Sequence, residues 1–412
     1  MMLAVRGMHP GPSEEAPPAR KMRYNGAMHV LMVSLERAVL NPDSDAAARM
    51  RRYAAALGRL SLVVLTRGGA ASPVALDART TAYPTASRTR AGYLVDALRA
   101  ARGAAEGGAF SVVSAQDPFD TGAVAWLIAR HHRAALHLQE HGDFFSLPHW
   151  RREAYGNRVR HPLGLALLRR ADGVRAVSGR IRATLVARGV PAARIAVAPM
   201  HTPLEAWAHA EGVDLRTRAG AEKVLLWMGR MVPQKNLPLL LRAFARVRRK
   251  HEGVALLLAG AGPLAPRVRA DAARLLPSEA VHFEAWTDAP ARLMKGADAY
   301  ALASDYEGWG RVLIEALAAG IPIATTDVGC VGEVLVHEVT AQVAPVRAEE
   351  ALARAMERAL YDKAFRSRFL RAREAALARL PSREEAEARF IESIRAASAA
   401  REKKRALSKT FV

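Results

Sequence analysis

The stretch "SDYEGWGRVLIEALAAG", Ser304 to Gly320, sets one acid, Glu307, before a Gly-Trp-Gly turn and a second, Glu315, inside the helix-forming run that follows. The apolar run "AYALAS" ahead of it reads as a strand ending at Ser304. Gly308 and Gly310 let the backbone turn with its N–H groups exposed. A helix starting near Arg311 would point its first amides and the positive end of its dipole at an anion. A carboxylate beside such a site is a poor phosphate ligand, but it is a good acceptor for vicinal sugar hydroxyls. The stretch therefore reads as an acid for a sugar, amides for a diphosphate and an acid for a ribose. Either glutamate alone reads better as part of a capped or ion-paired surface helix; the whole stretch, with Arg230 and Lys235 upstream, favours the ligand site.

Two more loops have suitable chemistry. In "WMGRMVPQKNL" a strand ends at Met228, Gly229 permits a tight turn, and Arg230 and Lys235 follow. Asn236 is a good N-cap for the next helix. Two cations beside a helix start suit a diphosphate, Arg gripping bidentately and Lys adding a point charge. A solvated basic loop is the plainer alternative. In "LLAGAGPL", Gly260 and Gly262 end a strand and would allow a ligand to approach the backbone closely. No Gly-Lys-Ser/Thr follows, so this is not a P-loop.

The elements that must position these loops alternate. "HVLMVSL", "LSLVVLT", "FSVVSAQ", "ALHLQEHG", "GVRAVSG" and "RIAVAP" are apolar strand-like runs separated by amphipathic helical segments. After Met200–Glu222, which reads as a linker, the alternation restarts with "KVLLWMG", "VALLLAG", "VHFEAW", "AYALAS" and "IPIATT". This pattern implies an α/β fold class with two doubly wound parallel-sheet halves facing a cleft. The expected division is 1–27 disordered tail, 28–199 N-terminal domain, 200–222 linker and 223–380 C-terminal domain. Residues 381–412 are expected to form a helix returning to the N-terminal domain plus a frayed basic tail.

The chain has 412 residues, one cysteine (Cys330) and a formal net charge of +21. A lone cysteine excludes an intrachain disulfide framework and fits a reducing compartment, so a cytoplasmic location is expected. No apolar run approaches the ~20 residues of a membrane span, and the first residues lack a signal-peptide core. The positive charge fits a polyanion partner, or an Ala- and Arg-rich chain using Arg as its default surface residue. No nucleic-acid motif stands out, and no nucleic-acid partner is expected.

Taken together, the loops resemble the retaining GT-B glycosyltransferases of glycosyltransferase family 4. That family's Glu-x7-Glu motif, S-x-x-E-G-x-G-x-x-x-x-E-A-x-A-x-G-x-P, matches Ser304, Glu307, Gly308, Gly310, Glu315, Ala316, Ala318, Gly320 and Pro322. Its G-R-x-x-x-x-K-N matches Gly229, Arg230, Lys235 and Asn236. Its Gly-x-Gly-Pro turn matches Gly260, Gly262 and Pro263, and its later Gly-x-x-x-Glu resembles Gly329 and Glu333. The resemblance implies a nucleoside-diphosphate sugar donor held by two Rossmann-like domains, 28–199 on the acceptor side and 223–380 binding the nucleotide sugar, with no cofactor and no catalytic metal. Arg230 and Lys235 would hold the diphosphate, Glu307 the transferred sugar and Glu315 the ribose. The amides of Trp309, Gly310, Arg311, Val312 and Leu313 would cradle sugar and phosphate. Trp286 and Thr287 lie where family members contact the base.

The first half departs from the pattern. The loop after the first strand, "SLERAVLNPDSDAAARM", has no glycine where many members have two. Asn41, Asp43 and Ser44 there could cap the next helix or touch donor or acceptor, with capping favoured. His141 matches a family histidine near the transferred sugar, and Asp143 would orient it. "DPFD", Asp117–Asp120, is another loop facing the cleft. The basic, aromatic segment Leu147–Arg170 could lie on an anionic membrane or grip a lipid-linked acceptor, or be an ordinary solvated connection.

The expected function is transfer from a UDP- or GDP-linked sugar to a glycan or lipid-linked acceptor in cell-envelope or exopolysaccharide synthesis. It would act in the cytoplasm or on the inner face of the plasma membrane. A nucleotide-sugar 2-epimerase of the same fold, or a non-catalytic basic polyanion binder, is the alternative.

Overall fold

The computed structural model describes residues 27–410 apart from Arg90 and Leu147. The tail expected over 1–27 therefore lies almost wholly outside the described residues. Eight strands form the first sheet: β1 (Met28–Ser34), β2 (Gly58–Val64), β3 (Val74–Asp77), β4 (Thr80–Pro84), β5 (Val112–Ala115), β6 (Ala135–Glu140), β7 (Gly173–Ala176) and β8 (Ile195–Val197). Six form the second: β9 (Lys223–Met228), β10 (Val254–Ala259), β11 (Val281–Glu284), β12 (Ala299–Leu302), β13 (Ile323–Thr326) and β14 (Gln342–Ala344). Their spatial orders are β3-β4-β2-β1-β5-β6-β7-β8 and β11-β10-β9-β12-β13-β14. Every pairing is parallel except the edge pair β3–β4.

The central strands are nearly all apolar because helices cover both faces. In β9, Val224 to Met228 are all buried, and so is every residue of β10. Burying each such Leu or Val contributes roughly 1.5–3 kcal/mol, which no polar alternation could supply here.

The strand order creates the site. In the second sheet the chain runs from β9 outward through β10 and β11, then returns to β12 on the other side of β9. The loops after β9 and β12 leave in opposite directions and open a crevice at the carboxyl ends of the strands. The first sheet repeats the device between β1 and β5.

Three regions differ from the sequence reading. The β3–β4 hairpin is additional, and its short strands at a sheet edge lack the double-sided apolar signature. The linker contains two short helices, Glu205–His209 and Leu215–Ala219. The last helix, Arg383–Thr410, packs on β5 to β8 of the first sheet. His137 Nε2 lies 3.1 Å from Ser393 Oγ, and the Tyr53 and Phe390 rings are 4.9 Å apart. The basic end, expected to fray, stays helical because Lys404 pairs with the buried Asp172 at 2.5 Å and Arg405 donates to the Arg133 carbonyl.

Candidate active site

The loops after β9 and β12 are fastened together by polar bonds. Asp305 N–H donates to the Gln234 carbonyl at 2.9 Å, and Gln234 Nε2 donates to the Tyr306 carbonyl at 2.9 Å. Asn236 Nδ2 and the Arg347 fork both donate to the Asp305 carboxylate. Asn236 is left-handed (φ 44°), and its side-chain oxygen caps the helix Leu237–Arg248. That cap ends the turn Pro233–Lys235 and sends the Lys235 side chain into the crevice. There Lys235 Nζ meets Glu307 Oε1 at 2.5 Å, and Ser304 Oγ donates to the same oxygen at 2.7 Å. Both bonds fall on Oε1. Oε2 has no protein partner among the described residues and is left to accept from a ligand.

Gly310 is left-handed (φ 73°) and starts the helix Arg311–Ala319 with no side-chain cap. Leu313 N–H bonds to the Gly310 carbonyl, so the sequence assignment of that amide to the donor is not supported. The amides of Arg311 and Val312 have no protein acceptor among the described residues. Glu315 faces Arg311 at 3.8 Å, and burial raises its carboxyl above the ordinary value. Trp309 packs its ring into the core, and its carbonyl accepts from Cys330 N–H at 3.0 Å. The ring therefore does not lie over the crevice.

Gly229 and Arg230 begin the β9 loop. The Arg230 side chain is exposed and has no partner among the described residues. Gly260 and Gly262 serve the protein's own backbone. A Cβ on Gly260 would lie 2.0 Å from the Gly229 carbonyl oxygen, and one on Gly262 would lie 2.5 Å from that of Met231. They let the loop after β10 press against the loop that carries Arg230. Trp286, 68% exposed, and Thr287 follow edge strand β11, with no recorded contact to the Glu307 cluster. Thr287 Oγ1 accepts from Ala289 N–H at 3.1 Å.

The first domain brings His141 to the same crevice. A Cβ on Gly308 would lie 1.7 Å from the His141 carbonyl oxygen, so the two domains touch at the residue next to Glu307. His141 Nε2 lies 3.1 Å from Gln139 Oε1. Arg175 also donates to that oxygen, which fixes it as the amide acceptor. The imidazole therefore donates through Nε2 and keeps Nδ1 as a free acceptor. Burial, and then the charges of Arg175 and Arg49, push its pKa down to about 3, so it is neutral. Gln139, not Asp143, orients the ring. Asp143 is itself left-handed (φ 53°) and buried, and burial raises its pKa to about 6. Burial pushes Glu140 up to about 8, and its Oε1 accepts from Phe144 N–H.

In the glycine-free loop Ser44 Oγ caps the helix Asp45–Leu57 by accepting from Ala47 N–H, and Asn41 Oδ1 accepts from Asp43 N–H. Asp117 Oδ1 likewise accepts from Phe119 N–H at 2.7 Å. Sequence reasoning missed the ties between the domains. Tyr306 donates to Glu153 at 2.9 Å, and Arg180 pairs with Asp327 at 2.5 Å. Glu333 accepts from Arg180 N–H at 3.2 Å. Ion pairs between distant segments leave no spacing in a sequence.

The sequence pattern described as Glycosyltransferase Family 4 matches residues 46–205, and that of Glycosyl transferases group 1 matches 216–375. The chain belongs to the family 4, group 1 glycosyltransferases. An uncharacterized glycosyltransferase of Methanocaldococcus jannaschii is 30% identical over 38% of this chain and 41% of its own. A GDP-mannose-dependent phosphatidylinositol monomannoside mannosyltransferase of Mycobacterium tuberculosis is 29% identical over 49% of this chain and 57% of its own. The chain thus spans about two fifths to three fifths of the length of these relatives. Anabaena HepE, solved with UDP and glucose, superposes with TM-score 0.67 at 17% identity, over 89% of this chain and 99% of that one. The sucrose-phosphate synthase of Thermosynechococcus elongatus gives 0.66 at 19%, over 93% and 99%. These likenesses identify the GT-B fold.

Proposed function

We propose that the protein is a metal-independent, retaining glycosyltransferase that moves a sugar from a nucleoside-diphosphate donor to a glycan or lipid-linked acceptor. The observation that carries this reading is the Lys235–Glu307 pair, with one carboxylate oxygen free, beside an uncapped helix N-terminus. The diphosphate lies between Lys235, Arg230 and the amides of Arg311 and Val312, where positive charge meets the negative charge that builds on the leaving group. Glu307 Oε2 accepts a hydroxyl of the transferred sugar, and Glu315 takes the ribose diol. The neutral His141 offers Nδ1 to the sugar from the opposite wall. Trp286 and Thr287 mark the base end.

Relatives described as GDP-mannose-dependent and neighbours solved with UDP support a nucleotide-sugar donor but do not choose the base. A thermal-shift screen against UDP- and GDP-sugars tests this. The cognate donor at a hundred times its Kd stabilises the protein by about 2.7 kcal/mol. A flat response to every nucleotide sugar would defeat the reading.

We place the work in cell-envelope or exopolysaccharide synthesis, on the cytoplasmic face of a membrane. No described helix is long and apolar enough to cross one. On the helix Tyr155–Arg170, however, Tyr155, Val159 and Leu163 are exposed at helical spacing beside exposed Arg151, Arg152 and Arg158. Such a face suits an anionic lipid surface. The protein is expected to co-sediment with vesicles of phosphatidylglycerol and less with phosphatidylcholine. Equal recovery from both supernatants would remove the membrane contact.

A further inference from the structure

On the N-terminal side of the cleft, a cavity of about 600 Å³ opens at the carboxyl ends of β1, β5, β6 and β7. His141 and Arg311 both line it, so it adjoins the donor site. Its wall contains an anomaly. Arg175, in the middle of β7, is 5% exposed and is the only buried arginine or lysine among the described residues. Its Nε donates to the Ala198 carbonyl at 2.8 Å, one Nη donates to Gln139 Oε1 at 3.1 Å, and its Cζ lies 4.7 Å from the centre of the Phe390 ring.

All of these partners are neutral. No carboxylate of the described residues lies within 4.0 Å of the guanidinium; the groups that act on it are the phenol of Tyr53, neutral at neutral pH, and Arg49, a like charge. A buried ion without a counter-charge is costly, and proteins normally pair it or neutralise it. Neutralisation does not occur here. Burial lowers its pKa only to about 10, so Arg175 stays charged at neutral pH. The three contacts above occupy Nε, one Nη and one face of the guanidinium; the other Nη has no hydrogen-bond partner among the described residues, and Arg175 lines the cavity.

The cavity wall adds to the imbalance. Arg49, Arg52, Arg311 and Arg383 also line it, against only Glu36, Asp45 and Glu387. Arg49 is held by Glu36 at 2.7 Å and Arg52 by Glu387 at 2.7 Å, which fixes both heads at the cavity rim. A planar fork fixed by packing, with a free edge and second cations beside it, suits the flat or tetrahedral oxygens of a carboxylate or phosphate.

Resting on the transferase reading of the cleft, we infer that this cavity is the acceptor subsite and that the acceptor carries an anionic group, a phosphate or carboxylate, held by Arg175. The missing counter-ion of Arg175 arrives with the substrate. Arg175 thereby positions the acceptor hydroxyl towards the donor sugar without touching the bond that is transferred.

The test is isothermal titration with the diphosphate site filled by saturating UDP or GDP, whichever the thermal-shift screen selects. The probes are glucose, glucuronate, glucose 6-phosphate and dihexanoyl phosphatidic acid. The anionic probes are expected to bind the wild-type protein at least tenfold more tightly than glucose. Preference between glucuronate and glucose 6-phosphate separates carboxylate from phosphate, and the lipid probe separates a headgroup from a soluble sugar. Arg175→Gln should weaken the preferred anion by tenfold to a hundredfold, the size expected for a charge-assisted bond. Arg175→Lys should restore part of it. Both variants should keep the nucleotide-induced thermal shift, which guards against loss of the fold and separates this inference from the donor reading. Equal affinity for charged and neutral probes, or anion binding that survives Arg175→Gln, would overturn it.

Discussion

Replacing Lys235 with Ala is expected to lower kcat for sugar transfer by about 10²–10³, the loss seen when one preorganised stabiliser of developing charge is removed. The argument rests on geometry. Lys235 is held by the turn Pro233–Lys235 and the Asn236 cap, so its ammonium is fixed in the crevice before substrate arrives. Among the described residues the only partner of that ammonium is Glu307 Oε1. When a diphosphate enters, the ammonium can bridge the phosphate oxygen and the carboxylate, and its share in stabilising the departing diphosphate grows as the bond to the sugar breaks. That interaction is stronger in the transition state than in the ground state, so kcat falls more than donor affinity. Glu307→Gln keeps the shape, and Gln still accepts from Ser304, but it offers a weaker acceptor to the sugar. It should raise KM and lower kcat together. Steady-state kinetics on both variants, with circular dichroism to confirm the fold, decides the matter. Unchanged kcat in Lys235→Ala would remove this crevice as the site of chemistry.

Much of this site was legible because its residues are contiguous. Glu307, Gly308, Gly310 and Glu315 fall in one strand-turn-helix unit, and the left-handed Gly310 needs glycine for a local reason. The central strands were legible because burial on both faces forces apolar runs. The short hairpin β3–β4 was not, since an edge strand is free of that demand. The roles of Gly260 and Gly262 could not be read either. The sequence shows that a side chain is absent, but whether a ligand or Gly229 and Met231 fills the space depends on tertiary approach. His141 was found by position, whereas its orienting partner was misassigned to Asp143. Gln139 lies two residues back on the strand, on the same face, and period-two geometry could have suggested it. Arg175 was visible in "GVRAVSG" as a lone cation in a run otherwise fit for a core strand. A strand pattern alone makes that residue an exception, and only the neutral surroundings give it a meaning.

Gly308→Ala is expected to reduce kcat/KM by about a hundredfold while leaving each domain folded, because a displacement near 1 Å at the reacting centre carries a penalty of that order. The new Cβ would lie 1.7 Å from the His141 carbonyl oxygen and 2.5 Å from its carbon. Both obstacles are backbone, so no rotamer can relieve the clash, and the two loops must separate. The loops belong to different domains. Separation therefore draws His141 away from the loop that carries Glu307 and strains the Tyr306–Glu153 and Arg180–Asp327 ties between the domains. Residues in each core are untouched, so the loss should fall on cleft closure and not on either domain's packing. The variant should show a larger radius of gyration by solution scattering with donor bound, and a thermal midpoint close to that of the parent. Nucleotide binding should weaken far less than turnover, since Lys235, Arg230 and the amides of Arg311 and Val312 all sit on the second domain. A Gly308→Ala protein with parental kcat/KM would show that the domains turn over sugar without this contact, and His141 would lose its place opposite Glu307.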